Sequence, residues 1–247
     1  MNNERAGAGG AEVKPGFGRA LVVTAHPDDP EFLFGATVAW LAAGGAEVFY
    51  LICSDGANGS RDPARPKEEI AAVRAAEQRA AAGLLGVRGV VFLNLPDGRL
   101  APSLDLRFAI ARELRRVRPD LVITHFPRRV LDIPLDASHP DHVAVGEAAL
   151  SAVMPDASNA RAFPELLREG LEPHKVKEVW VPGYEQPNHC VDAAPFLERK
   201  AAAIMCHRSQ LGDPPPAGPP PWLYHFMGMV GARHGYEYGE DFRRIVV

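Results

Sequence analysis

The chemistry in this sequence is concentrated in two short segments that combine imidazoles with carboxylates. Residues 26–31 read HPDDPE, so one histidine is followed within a few positions by acidic side chains. Residues 138–142 read SHPDH and contribute two histidines and an aspartate. Two imidazoles and one carboxylate are the ligand set of a catalytic zinc ion, which keeps its fourth position open for water. The two segments together therefore predict a zinc site.

Each segment also has a simpler explanation when it is taken alone. Asp28 could cap the helix that follows, with Glu31 as its capping-box partner. Alternatively, Asp29 could cap that helix, with Pro30 in the first turn. The two histidines of residues 139–142 fit a surface turn equally well. Neighbouring carboxylates repel each other, however, and one of them needs a cation or a proton. The presence of both segments in one chain favours the metal site.

The elements that must position these segments alternate between strands and helices. Residues 19–25 form a short apolar run before a proline-containing turn, which is typical of a buried parallel strand that ends at His26. Similar patterns predict strands at residues 47–53, 89–94 and 120–125, and helices at residues 31–43, 67–85 and 104–117. This order favours βαβ crossovers. We therefore predict an α/β fold with a Rossmann-like, mostly parallel sheet and helices on both faces.

Several polar turns fall at the carboxyl edge of this predicted sheet, where ligands bind in folds of this type. They are His26, His125 and the turns at residues 54–56 and 96–98. The two segments with metal-ligand chemistry also lie at strand-to-helix junctions, so the edge is the expected position of the site. His125, which has no acidic neighbour in sequence, is predicted to be structural.

The domain organisation is predicted to be simple. Residues 1–17 are expected to form a flexible N-terminal tail, and residues 18–247 a single domain. The pattern becomes less regular after Pro155, and the proline-rich residues 213–221 predict a stiff surface loop.

Composition limits the classes of partner. The chain has 247 residues, of which 47% are hydrophobic, and its formal net charge is −4, so there is no electrostatic case for nucleic acid or an anionic membrane surface. The three cysteines are widely spaced and predict no disulfide framework. Neither a signal peptide nor a membrane-spanning stretch is apparent. We therefore predict a cytoplasmic protein; whether it forms a homo-oligomer is left open.

The two segments in combination resemble the LmbE/PIG-L-type N-acetylglucosaminyl deacetylases, which include enzymes of the bacillithiol and mycothiol pathways. The resemblance extends over most of the chain through weaker stretches: residues 54–56, 74–77, 85–87, 96–98 and 200–210. It implies a hydrolase that removes the acetyl group from an N-acetylglucosamine-containing small molecule or glycoside. The alternative is a zinc amidase of the same mechanism that acts on another amide, such as a thiol conjugate or an acylated antibiotic sugar.

The resemblance also implies roles for individual residues. It assigns His26, Asp29 and His142 to Zn²⁺, with other divalent metals as alternatives, and it makes Asp28 the general base. A zinc ion lowers the pKa of its bound water to around 7, and an unligated carboxylate beside it can accept the proton as water attacks the amide.

Two further catalytic roles concern the second segment. His139, oriented by Asp141, is suited to donate to the tetrahedral oxyanion. His139 could also protonate the leaving amine, although Asp28 could return the proton instead. The sequence leaves these two routes open.

Two residues are expected to contact the substrate. Arg74 matches a helix arginine that anchors substrate in relatives; alternatively, it faces solvent and pairs with Glu77 or Gln78. His207 lies where some relatives have a tyrosine next to the metal, which implies a further oxyanion donor.

Some features separate this chain from individual branches and other classes. Pro30 lies between Asp29 and Glu31, a spacing found in one branch of the family, and the chain is shorter than the mycothiol-pathway enzymes; both features weaken that pathway assignment. A dinucleotide-binding module needs a Gly-x-Gly-x-x-Gly turn after the first strand, where this chain has HPDD. A metallo-β-lactamase-type site needs a histidine at the position of Asp28.

Overall fold

The central strands are apolar on both faces, as parallel strands covered on both sides must be. In the first strand, Leu21 and Val23 pack into one hydrophobic core, whereas Ala20 and Val22 pack into the core on the opposite face. This period of two follows from the alternation of side chains along a strand. The computed structural model describes residues 15–247, so residues 1–14 of the predicted tail lie outside the described residues.

The sheet has seven strands in the order β3-β2-β1-β4-β5-β7-β6. The strands from β1 to β5 pair in parallel, and β7 pairs antiparallel with both β5 and β6. Their bounds are β1 Arg19–Thr24, β2 Glu47–Ser54, β3 Gly89–Leu95, β4 Leu121–Thr124, β5 Glu178–Pro182, β6 His189–Asp192 and β7 Gly239–Val246.

The helices cover both faces of this sheet. The helices are α1 Asp29–Ala43, α2 Lys67–Leu85, α3 Leu104–Val117, α4 Pro140–Ser151, α5 Pro164–Arg168, α6 Leu197–Ile204 and α7 Pro221–His234, with short helical turns at Ala152–Ala157, Ala194–Phe196 and Arg208–Gln210. Residues of α1, α2 and α6 pack on one face, and residues of α3 and α4 pack on the other. The predicted α/β fold is therefore confirmed.

The predicted elements agree closely with the structure in the first half of the chain. In the second half, several strands and helices were not predicted. The four predicted strands and the three predicted helices are present with boundaries that differ by at most a few residues. The irregular pattern after Pro155 concealed β5, β6, β7 and the helix α7. The boundary of the domain at residue 17 stays a prediction. None of the described helices combines the length and apolar character needed to cross a bilayer.

The strand order places a crevice between β1 and β4. From β1 the chain moves outward to β2 and β3, and it then returns to form β4 on the other side of β1. Connections therefore leave the carboxyl ends of β1 and β4 in opposite directions, which is the topological switch point where ligands bind in such sheets.

Candidate metal centre

The two chemical segments of the sequence meet at this switch point. His26 follows β1, and Asp29 is the first residue of α1. His142 lies in the first turn of α4, which follows the loop after β4. The side chains of His26 and Asp29 are about nine-tenths buried. The pairing of β1 with β4 therefore brings together residues that are more than a hundred positions apart.

Three side-chain atoms converge with the spacing of metal ligands. Nδ1 of His26 lies 3.2 Å from Nε2 of His142 and 3.5 Å from Oδ2 of Asp29. Nε2 of His142 lies 3.1 Å from Oδ1 of Asp29. Ligands of a tetrahedral ion with bonds of about 2.0 Å lie about 3.3 Å from one another. The three atoms therefore fit around one small divalent ion.

The second ring nitrogen of each of these histidines has an acceptor. Nδ1 of His142 lies 3.4 Å from the carbonyl oxygen of Ala137. Nε2 of His26 lies 3.2 Å from Oδ2 of Asp141 and 3.2 Å from Oδ1 of Asp97. When these nitrogens carry the protons, the lone pairs of the opposite nitrogens point toward each other and toward Asp29. This arrangement is typical of histidines that bind a metal ion.

The electrostatic environment of the cluster favours a cation. Burial lowers the pKa of His26, but hydrogen bonds with Asp141, Asp29 and Asp97 outweigh it and raise that pKa to about 12. Burial raises the pKa of Asp29, yet the adjacent imidazoles of His142 and His125 hold it well below its usual range. A negative group among imidazoles, with further carboxylates behind them, stabilises positive charge at the centre of the cluster.

Two other histidines border the three converging atoms. His125 and His139 each belong to a group of potential metal ligands that includes His142. Nε2 of His125 is in contact with two protein groups, because it lies 3.0 Å from the amide nitrogen of Ala25 and 3.1 Å from Oδ2 of Asp29. The His125 ring stacks on His142 with centroids 4.1 Å apart, and burial lowers its pKa to about 4. His125 therefore contributes a neutral packing surface for His142.

The sequence did not predict this position for His125. The imidazole also lies 3.1 Å from Oδ2 of Asp29, and the residue is 1% exposed. The available signal was its place directly after β4, next to the strand that ends at His26. A position directly after β4 does not show that His125 contacts Asp29 unless the order of the strands is known.

Asp28 occupies the N-cap position of α1, but its side chain does not cap the helix. Its side chain makes no capping hydrogen bond, and its φ of 113° is a conformation that few non-glycine residues adopt. Its Oδ2 lies 3.0 Å from Nη2 of Arg74. Burial and the neighbouring charge of Asp29 outweigh Arg74 and raise the pKa of Asp28 to about 6. The carboxylate thus interacts electrostatically with Asp29 and His26 and is held from the side of α2 by Arg74.

Arg74 does not take the solvent-facing position that was the alternative to substrate contact. It is 4% exposed, so it does not face solvent. Its guanidinium donates to the carbonyls of Pro27 and Gly56 as well as to Asp28. The partners considered for it are engaged elsewhere, because Glu77 accepts hydrogen bonds from Ser209. Arg74 therefore holds the Asp28 carboxylate and its loop, and its contact with substrate stays a prediction.

His207 lies in the interior, in a layer behind Asp28. Its side chain is fully buried, and Nε2 lies 3.0 Å from Oε2 of Glu31. Glu31 also accepts two hydrogen bonds from Gln78, whose Oε1 in turn accepts from the amide of Asp28. This placement argues against the predicted contact of His207 with substrate. The network that it completes fixes the backbone at Asp28 and was not foreseen from the sequence.

The expected pairing of His139 with the Asp141 carboxylate is not observed. Nδ1 of His139 accepts a hydrogen bond of 3.2 Å from the backbone amide of Asp141, which makes His139 the cap of α4. The Asp141 carboxylate turns away and contacts His26. Burial and the charges of His26 and His142 lower the pKa of His139. His139 is therefore a neutral imidazole whose Nε2 carries the proton.

Comparison with known proteins agrees with this arrangement of residues. The sequence model of the family described as "PIG-L: GlcNAc-PI de-N-acetylase" matches residues 21–153, which include both chemical segments. A diacetylchitobiose deacetylase from Thermococcus kodakarensis is 29% identical over 229 residues, covering 91% of this chain and 82% of the relative. A 1D-myo-inositol 2-acetamido-2-deoxy-alpha-D-glucopyranoside deacetylase from Rhodococcus erythropolis is 27% identical over 247 residues, covering 78% of this chain and 81% of the relative.

A solved structure extends the likeness to three dimensions. The N,N'-diacetylchitobiose deacetylase from Pyrococcus horikoshii superposes with a TM-score of 0.85 at 31% identity, covering 94% of this chain and 85% of that one. The deacetylases of this family are metal-dependent, and the His/Asp groups described above are candidate metal-binding groups. This chain belongs to the PIG-L family of de-N-acetylases, hydrolases that act on N-acetyl amides.

Proposed function

We propose that this chain is a zinc-dependent deacetylase that removes the acetyl group from an N-acetylglucosamine-containing small molecule or glycoside. The observation that carries the proposal is the convergence of His26, Asp29 and His142 within 3.5 Å, with the carboxylate of Asp28 outside this set and in electrostatic interaction with Asp29 and His26. That combination of an open ligand set and an adjacent base is what hydrolysis of an amide by water requires.

The ion would be held by Nδ1 of His26, a carboxylate oxygen of Asp29 and Nε2 of His142. When bound, it supplies Lewis-acid chemistry that activates water and polarises the amide carbonyl. Asp29 is suited to this role because its Oδ2 also accepts a 2.7 Å hydrogen bond from the His26 amide, which fixes the carboxylate. Zinc is preferred because two imidazoles and one carboxylate with an open position form a catalytic zinc set.

Asp28 accepts the proton of the attacking water in this proposal. Its carboxylate is outside the ligand set, and its contact with Arg74 keeps it on the site side of α2. The position of the base affects the reaction rate as well as its pKa does. A misplacement of about 1 Å can lower the rate a hundredfold.

His139 donates from Nε2 to the oxyanion that forms on the amide oxygen. Its Nδ1 is committed to the Asp141 amide, so the tautomer with a proton on Nε2 is the one that this backbone favours. The same proton is available to the leaving amine. Whether His139 or Asp28 delivers it stays a prediction that pH profiles of the two variants would separate.

The substrate is proposed to carry more than a single sugar. The relatives from Thermococcus and Pyrococcus are named for diacetylchitobiose, and that disaccharide is therefore the first substrate to test. The long loops at residues 54–66, 128–138 and 213–221 are proposed to bind the groups of the substrate beyond the reacting acetamide. The amidase acting on another amide is the competing outcome of the same test.

The test is acetate release by the purified protein with its metal content measured in parallel. We expect zinc near one equivalent per chain and release of acetate from diacetylchitobiose, with both lost in a His142→Ala variant. Asp105→Asn, an exposed position in the first turn of α3 and outside the proposed substrate loops, is the matched control and should keep both properties. Zinc-dependent cleavage confined to amides without a sugar would refute the substrate class, and metal-independent release would refute the mechanism.

A further inference from the structure

Two carboxylates flank the nitrogen of His26 that faces away from the converging ligand atoms. Oδ2 of Asp141 and Oδ1 of Asp97 each lie 3.2 Å from Nε2 of His26. The Asp141 side chain is 1% exposed and that of Asp97 is 8% exposed. Both groups are therefore shielded from water, and the His26 ring lies between them and the centre of the cluster.

Both carboxylates are themselves held by backbone amides. Asp141 accepts hydrogen bonds from the amides of Gly98, at 2.8 Å, and Leu100, at 3.1 Å. Oδ2 of Asp97 accepts a 3.0 Å hydrogen bond from the amide of Asn58. These donors come from the loops after β2 and β3. Because main-chain amides fix Asp141, its carboxylate is kept in contact with His26.

The structure assigns Asp141, assisted by Asp97, as a positioning residue of the metal centre. The inference rests on the proposed function, because it concerns the same ion. Asp141 accepts the Nε2 proton of His26, which leaves the lone pair on Nδ1 and turns it toward Asp29 and His142. A carboxylate behind a histidine ligand fixes its tautomer and raises its basicity, and its loss typically lowers metal affinity by 10- to 100-fold.

This role differs from that of a partner for His139. Asp141 touches His139 only through its backbone amide, and a change of side chain leaves that amide in place. A side-chain variant should therefore weaken the metal site while the donor function of His139 persists. The two roles make opposite predictions for zinc affinity and for the rate at saturating zinc.

The experiment titrates zinc into metal-stripped protein in competition with a chromophoric chelator, so the reading does not depend on turnover. Asp141→Asn preserves the shape of the side chain but presents one acceptor oxygen in place of two. We expect its zinc Kd to rise 10- to 100-fold, and kcat for diacetylchitobiose at saturating zinc to fall less than about fivefold. Asp97→Asn should shift the Kd in the same direction and by less, and the control Asp105→Asn should not shift it.

The outcomes separate this inference from the proposed function. If the parent protein binds no zinc, the proposed function fails together with the inference. If the parent binds zinc and Asp141→Asn binds it equally well, while kcat falls as far as in His139→Gln, only the positioning role is overturned. Two zinc equivalents in the parent and one in Asp141→Asn would also overturn it, because His26, Asp97 and Asp141 would then hold an ion of their own. If Asp141→Asn fails to fold by circular dichroism, Asp97→Asn decides the question by the same titration.

Discussion

The guanidinium of Arg74 lies 3.0 Å from the carboxylate of Asp28, and it also donates to the carbonyl oxygen of the preceding residue, Pro27. One side chain from α2 thus holds both the carboxylate and the backbone of the loop that carries it. An exposed surface pair would contribute little to stability. This one is largely buried, so its loss has consequences for both stability and rate.

Replacing Arg74 with methionine should destabilise the protein and slow the reaction. Removal of one partner leaves a buried carboxylate without its counter-charge, which costs about 3 kcal/mol in the free energy of unfolding. Urea unfolding monitored by circular dichroism measures this change, and acetate release measures the rate. Arg79→Met, at an exposed position of the same helix, loses a contact with the ring of Phe92 and should stay within about 1 kcal/mol of the parent. Equal stabilities for the two variants would contradict the role given to Arg74.

Asp28 should be needed for turnover and dispensable for metal. Asp28→Asn keeps the size of the side chain but removes its ability to accept a proton, so we expect a loss of about 10² to 10⁴ in kcat. Zinc content, measured by elemental analysis, should remain that of the parent because Asp28 is outside the ligand set. Activity within threefold of the parent would exclude Asp28 as the general base.

The backbone at Asp28 predicts a difference between two inactive variants. A φ of 113° strains any residue with a β-carbon, whereas glycine adopts it readily. Asp28→Gly should therefore exceed Asp28→Ala in the free energy of unfolding by about 1 kcal/mol, at the lower end of such backbone strain. Both variants lack the carboxylate, so the comparison isolates the backbone. An Ala variant as stable as the Gly variant would show that the strain is relieved elsewhere.

Removal of the metal should lower both activity and thermal stability. A chelator should abolish acetate release, and added zinc should restore it. An ion that binds only the native state at a hundred times its Kd stabilises that state by about 2.7 kcal/mol. Differential scanning calorimetry with and without zinc measures the shift in Tm. His142→Ala should show no such shift, and a zinc-dependent shift in that variant would place the ion elsewhere.

Substrates with a group beyond the acetylated sugar should be preferred. The ion and Asp28 treat any acetamide alike, so discrimination must come from contacts away from the reacting carbon. We expect a higher kcat/KM for diacetylchitobiose and for other N-acetylglucosaminides than for free N-acetylglucosamine. An enzyme-coupled assay of acetate release measures kcat/KM for each substrate. Equal values across the panel would mean that the loops around the site add no specificity.

The sequence predicted that His26, Asp29 and His142 converge because they lie in two compact segments, each at a strand-to-helix junction. It failed where a side chain's partner depends on packing. Asp141 is two positions from His139, and residues so spaced at the start of a helix do not face each other. The carboxylate is instead directed toward His26, which only the pairing of β1 with β4 brings near. His125 was missed for the same reason.

The later strands were missed for a different reason. β6 has four residues, and the last three residues of β7 are exposed, so neither strand carries the continuous apolar pattern of β1. His207 was assigned a substrate contact by analogy with relatives. Its burial against Glu31 follows from how α6 packs on α1, which no local pattern in the sequence specifies.

The separation of the ligands along the chain has a consequence for how the protein matures. His26 and His142 are 116 positions apart, and they become neighbours only when β4 pairs with β1. During synthesis the first half of the chain emerges with two of the three ligands and cannot complete the set. Contacts of such long range form late, after the loop between them has closed. If these three residues hold the proposed zinc ion, its binding reports that β4 has paired with β1, and a nascent chain stalled before α4 would leave the ion in solution.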